Sequence, residues 1–134
     1  METGAGILHL SLPVRDLDEA REFYENALGC AIGRVRDGWI DVWFHGMQLT
    51  LHVEPSQVLP ADARRVRHFG VTLRAGELTE LLAHLETCSV EWLKRPATDH
   101  AGTSRAQTKA MIADPSGNAI ELKTYADPAA AFAD

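Results

Sequence analysis

Three side chains in this sequence have types that, brought together, would hold a divalent metal: His9, His68 and Glu121. Two imidazoles and one carboxylate make an open facial triad, which leaves coordination positions for water, substrate or O₂. Such a set suits Fe(II) first, with Mn, Ni, Co and Zn as further candidates. Each residue alone has a plainer reading, because a histidine or glutamate on a strand is ordinarily a solvated surface residue. The case for the set rests on the elements that position it.

Glu121 lies in MIADPSGNAIELKTY, residues 111–125. Asp114 can bond its own backbone, Pro115 fixes φ at the second turn position and Gly117 accepts the exit geometry, so the stretch reads as strand, tight turn, strand. In the second strand Ile120, Leu122 and Thr124 alternate with Glu121, Lys123 and Tyr125, which puts Glu121 on the polar face.

Near the start, Leu8, Leu10, Leu12 and Val14 alternate with His9, Ser11 and Pro13, so His9 too lies on the polar face of a strand. Asp16 with Glu19 has capping-box spacing, and Ala20, Phe23, Tyr24, Ala27 and Leu28 form the buried stripe of a helix closed by Gly29. Extended character resumes from Cys30 to Val35, and Trp39 to Phe44 with Met47 to Val53 reads as a hairpin through His45 and Gly46. The stretch 55–66, with Pro55 and Pro60, reads as a linker with one short helical turn. The pattern then restarts. His68, Gly70 and Thr72 alternate with Phe69, Val71 and Leu73; Leu78, Leu81, Leu82 and Leu85 mark a helix; Val90 to Leu93 marks a strand. Residues 96–104 read as a flexible connection into the last hairpin, and 127–134 as a frayed tail or a short loose helix.

The order is βαβββ twice, with a histidine opening each half about sixty residues apart. Laying GNAIELK over GMQLTLH pairs Glu121 with Thr50 and Lys123 with His52. The expected fold is therefore α+β: two paired βαβββ modules, about 7–54 and 67–126, in one domain spanning 1–134. Their strands form a cupped eight-stranded mixed sheet around a central cleft into which His9, His68 and Glu121 project. His52, two residues beyond the Glu121-equivalent position, is the candidate acid or base at bound substrate, though a fourth-ligand or purely polar role stays open. Thr50, Trp43 and Gln107 are candidate substrate contacts. Trp39 and Trp43 could form stacking walls, with core packing an equal alternative. His45 at the hairpin tip and His100 in a loop read as surface residues.

Composition narrows the partners. The chain has 134 residues, 46% hydrophobic and 24% charged, an ordinary globular balance. A formal net charge of −6 with scattered Lys and Arg argues against nucleic acid. Cys30 and Cys88 have neither zinc-site nor CxxC spacing and read as small buried thiols of a reducing compartment. No export or membrane segment is visible, so a cytoplasmic location and no membrane partner are expected.

Three segments carry a family resemblance: HLSLPVRDLDEAREFYENALG, HFGVTL and DPSGNAIELK. Together they resemble the vicinal oxygen chelate superfamily, which includes glyoxalase I, extradiol dioxygenases, fosfomycin-resistance transferases and bleomycin-binding proteins, over nearly all of 7–125. The resemblance implies paired βαβββ modules, a likeness of His9, His68 and Glu121 to the family's ligand positions, and a homodimer. Its glyoxalases carry a further Glu or Gln on the fourth strand, where this chain has Thr50, and threonine cannot replace a carboxylate base. What the resemblance implies is a metal-dependent enzyme acting on a small organic substrate through adjacent oxygens, dioxygenase-like before lyase- or isomerase-like. The rival is a metal-free drug- or metabolite-binding protein. A fosfomycin-type activity lacks a distinctive basic cluster, Arg105 and Lys109 being ambiguous in facing.

Overall fold

The alternating leucines of the N-terminal stretch form β1 (His9–Val14), and the Asp16 carboxylate caps the next helix by accepting from the Glu19 amide at 2.8 Å. This computed structural model describes residues 6–63 and 66–132. Helix α1 (Leu17–Glu22) widens into a π-type turn over Phe23–Ala27, where the Leu28 amide reaches back to the Phe23 carbonyl. Strands β2 (Ala31–Arg36), β3 (Trp39–Phe44) and β4 (Met47–Val53) complete the first module. Both residues of the β3–β4 turn have positive φ, His45 at 48° and Gly46 at 81°, the twist a two-residue hairpin requires.

The second module repeats the order with β5 (Phe69–Thr72), α2 (Ala75–Glu86), β6 (Glu91–Asp99), β7 (Gln107–Ala113) and β8 (Ala119–Tyr125). Short 3₁₀ turns occupy Pro55–Gln57 and Ala61–Ala63 in the linker and Pro128–Phe132 in the tail. The fold is α+β with two βαβββ modules, as expected, and its eight strands divide into two hydrogen-bonded sheets of four. Their orders are β1-β4-β3-β2 and β5-β8-β7-β6. In each, the module's first strand pairs in parallel with its last, and the other neighbours are antiparallel.

One element departs from the sequence reading. β6 runs through Pro96 to Asp99, where a flexible connection was expected. It is the edge strand, and its register slips between Lys94 and Ala97, so the missing proline N–H breaks no regular ladder bond.

The apolar faces of both sheets meet one core. Val42, Leu49 and Leu51 from the first module share it with Ile112, Ile120 and Leu122 from the second, under Tyr24 and Leu85 of the two helical segments. Full burial of such side chains contributes about 1.5–3 kcal/mol each. Polar bonds pin the modules together: the Tyr24 hydroxyl donates to Asp114 at 2.9 Å, the Arg15 amide to the Ser116 hydroxyl at 2.9 Å, and the Asn118 amide to the Pro13 carbonyl at 3.0 Å. Cys30 is buried here, and burial pushes its thiol up to about 12, which leaves it inert. Because both apolar faces turn into this core, both polar faces lie on the sides away from it. No helix among the described residues is long and apolar enough to cross a membrane.

Candidate functional site

Strand register defines which side chains share each polar face. In the first sheet Ser11, Thr50 and Asp41 stand in one row, with His9, Gln48 and Trp43 in the next. In the second sheet Gly70, Glu121 and Met111 form the corresponding row, and His68 precedes it by two residues as His9 precedes Ser11. The tertiary register thus reproduces the equivalence of Glu121 with Thr50.

The two histidines are held alike. His9 Nδ1 lies 3.0 Å from the Gln48 carbonyl, and His68 Nδ1 lies 2.7 Å from the Val66 carbonyl. A carbonyl only accepts, so each Nδ1 carries a proton and Nε2 is the ring atom left to face a ligand, that of His9 lying 3.4 Å from the Ser11 hydroxyl. A backbone carbonyl on the other ring nitrogen is the usual support of a metal-ligating histidine. His68 Nε2 points toward Glu121, with 3.8 Å to Oε2, and Glu121 Oε1 lies 3.5 Å from Lys123 Nζ. Gly70 makes this possible: a Cβ there would stand 2.0 Å from the Glu121 carbonyl oxygen, so only glycine lets β5 lie this close to β8.

His68 and Glu121 are therefore brought together, and His9 is on the other sheet. Among the described residues no group of three or more His, Cys, Asp or Glu side chains gathers as a metal site within one chain. The donor set itself, two outward Nε2 atoms and a carboxylate only 19% exposed, fits a divalent ion.

The other expected site residues fall as follows. Trp43 is on the first polar face, 37% exposed, level with His9 and Gln48. His52 is on that face beside Trp39, with ring centroids 6.3 Å apart, and makes no side-chain hydrogen bond among the described residues. Thr50 is buried and its hydroxyl is committed, donating to Asp41 Oδ1 at 2.7 Å. Gln107 pairs with Asp99 and Tyr125 at the far end of β7, four residues or about 13 Å along the strand from Met111, the neighbour of Glu121. It borders a small pocket shared with His100, Arg105 and the tail turn, away from the His68–Glu121 pair.

Two features escaped the sequence reading. Asp41 is 1% exposed on the polar face of β3 and accepts from Thr50, from Arg34 Nε at 2.7 Å and from Gln48 at 3.2 Å. Burial pushes this carboxyl up. The bonds from Thr50, Arg34 and Gln48, with the Arg34 charge, outweigh it and hold the group below the ordinary carboxylate range. The signal was an aspartate in step with Trp39 and Trp43 in WIDVWF. Around Glu121, Lys94, Arg95 and Lys109 line a pocket of about 280 Å³ together with Asp99, which pairs with Lys109 at 3.2 Å, so Lys109 faces the Glu121 side while Arg105 borders the Gln107 pocket. A larger cleft of about 630 Å³ lies between Leu10, Leu12, Phe69 and Ala119, with His68 at its edge. It is a gap on the apolar side of β1 and excludes Glu121.

Comparison with known proteins places these features in context. The family model described as Glyoxalase/Bleomycin resistance protein/Dioxygenase superfamily matches residues 6–122. A crystal structure of a glyoxalase/bleomycin resistance protein/dioxygenase from Alicyclobacillus acidocaldarius is similar at 29% identity and a TM-score of 0.79, covering 97% of this chain and 98% of that one. Two others share the fold. The fosfomycin resistance protein FosX from Listeria monocytogenes has 15% identity and a TM-score of 0.71 over 92% of this chain and 94% of its own. Lactoylglutathione lyase from Agrobacterium tumefaciens has 19% identity and a TM-score of 0.62 over 91% and 95%. No curated protein sequence matches the chain.

Proposed function

The chain belongs to the glyoxalase/bleomycin resistance protein/dioxygenase superfamily, and from that membership we propose that it is a metal-dependent enzyme acting on a small organic substrate through two adjacent oxygens. His9, His68 and Glu121 hold the ion. The observation that carries this reading is the matched support of the two histidines, each with Nδ1 on a backbone carbonyl, which leaves His9 Nε2 beside the Ser11 hydroxyl at 3.4 Å and His68 Nε2 facing Glu121.

His9 lies on the other sheet, so the triad is completed by a second copy. The polar face of the first module in one protomer meets that of the second module in its partner, in a homodimer with two sites. When bound, a divalent ion, Fe(II) by preference, stabilises negative charge developing on the chelated oxygens. The chain's own residues do the rest. Trp43 walls the pocket, Thr50 and Asp41 fix its polar floor, and His52, free of hydrogen-bond partners among the described residues, moves a proton at bound substrate. A dioxygenase-like reaction is favoured over a lyase or isomerase reaction, because the fourth-strand position holds Thr50, whose hydroxyl already serves Asp41.

The test is metal content. Protein purified without chelator should carry a divalent ion, and His68→Ala should weaken its retention about tenfold or more. Protein with no affinity for Fe, Mn, Ni, Co or Zn would instead support the metal-free binding reading.

A further inference from the structure

Arg34 reaches the first polar face through a fault in the strand. β2 pairs Ile32 with Val42 and Val35 with Ile40, so two residues, Gly33 and Arg34, stand opposite the single residue Asp41. That is a β-bulge, and without the extra residue the alternation would turn Arg34 to the apolar side. Gly33 gives the room: a Cβ there would lie 3.0 Å from the Trp43 indole nitrogen and 3.1 Å from Asp41 Cβ. The bulge thus aims a guanidinium over Asp41 at the cost of regular pairing.

The guanidinium is then held on two sides. Nε donates to the buried Asp41 carboxylate at 2.7 Å, and the group stacks 4.9 Å from the Trp39 ring centroid. Its two terminal nitrogens have no acceptor among the described residues, and the side chain stays 58% exposed. A planar fork with one edge anchored and the other free matches the two oxygens of a carboxylate or phosphonate. Asp41 lies two strands from β1 and one row from His9, on the order of 12 Å from it by the spacing of strands and the rise per residue.

Building on the metal reading above, we propose that Arg34 is the seat for an anionic end of the substrate, a carboxylate or phosphonate on the molecule whose adjacent oxygens are chelated. The substrate class is then a vicinally dioxygenated organic acid. Asp41 and Trp39 are positioning residues for that fork.

The test uses ligands with and without each feature. The full chain is titrated with benzoate and with phenylphosphonate, neither of which can chelate through adjacent hydroxyls, while the indole N–H resonances of Trp39 and Trp43 and the Arg34 Nε–H are followed by NMR. Saturable shifts at these groups are expected. Arg34→Gln, which keeps an amide donor for Asp41, should weaken binding about tenfold or more, and Arg34→Lys less, since it keeps the charge and loses the fork. The tighter of the two ligands identifies the acid group. In a second arm on metal-loaded protein, 3,4-dihydroxybenzoate should bind more tightly than catechol, and Arg34→Gln should erase that preference by lowering the affinity for 3,4-dihydroxybenzoate more than that for catechol. Unchanged benzoate and phenylphosphonate affinity in folded Arg34→Gln protein, or shifts arising only around Lys94 and Lys109, would overturn the proposal. If the chain takes up no metal yet benzoate binding depends on Arg34, the metal reading falls and the anion seat stands. If His68→Ala loses metal while neither acid responds to Arg34, the reverse holds.

Discussion

The two polar faces share one backbone plan and differ in where they keep their carboxylate. In the second module it is on the last strand, as Glu121, with Met111 beside it on β7. In the first it has moved one strand over, to Asp41 on β3, and Thr50 fills the last-strand position. Asp41 is buried and saturated by three donors, whereas Glu121 is partly open between His68 and Lys123. A saturated buried carboxylate is a structural anchor; a partly open one beside an imidazole keeps acceptor capacity unused by the protein. The repeat has divided its labour, one face orienting donors and rings, the other exposing charge.

That division can be broken most severely by mixing variants. If each site takes His9 from one protomer and His68 with Glu121 from the other, His9→Ala and Glu121→Ala should each lose metal. Co-refolded in equal amounts, they should regain about a quarter of the wild-type sites, because about half of the dimers are mixed and one of the two sites in each is then intact. Recovery that stays at zero would place all three ligands in one chain.

A smaller effect separates the anchor from the ligand. Asp41→Asn should cost about 1–3 kcal/mol of stability, read as a shift of the denaturant midpoint. The pH dependence has a fixed sign. A carboxyl lowered in the folded state contributes its stability above the unfolded value near ~3.9, and loses it as pH falls through the lower folded value. Acid unfolding of the wild type should therefore be steeper below about pH 4 than that of Asp41→Asn, and equal slopes would mean that Asp41 is not held low.

The smallest effect belongs to neither face. Tyr24→Phe removes the hydroxyl that pins α1's helical segment to Asp114 in the other module. It should lower stability by about 1 kcal/mol with metal content unchanged. A loss of metal in that variant would couple the module junction to the site.

Much of this was legible in the sequence because it depends on local rules. Period-two leucines placed His9 and Glu121 on polar faces, the Asp16 cap started the helix, and His45–Gly46 closed the hairpin where expected. Thr50 could be matched to Glu121 because the two modules keep one register. Arg34 was hidden, since one inserted residue reverses the facing of everything beyond it and leaves no mark in a hydrophobic pattern. Pro96 was misread for the related reason that whether a strand lies at an edge is a property of the sheet.

By itself, then, the sequence determined the repeated βαβββ order and the face on which each candidate ligand sits, because side-chain alternation is set within each strand. Tertiary structure alone decided which faces meet. The apolar sides of both sheets close on a single core, since that removes the most apolar surface from water. The same closure leaves His9 on a different sheet from Glu121, with no group of three such side chains gathered among the described residues, and strand pairing alone defines the bulge that aims Arg34 over Asp41.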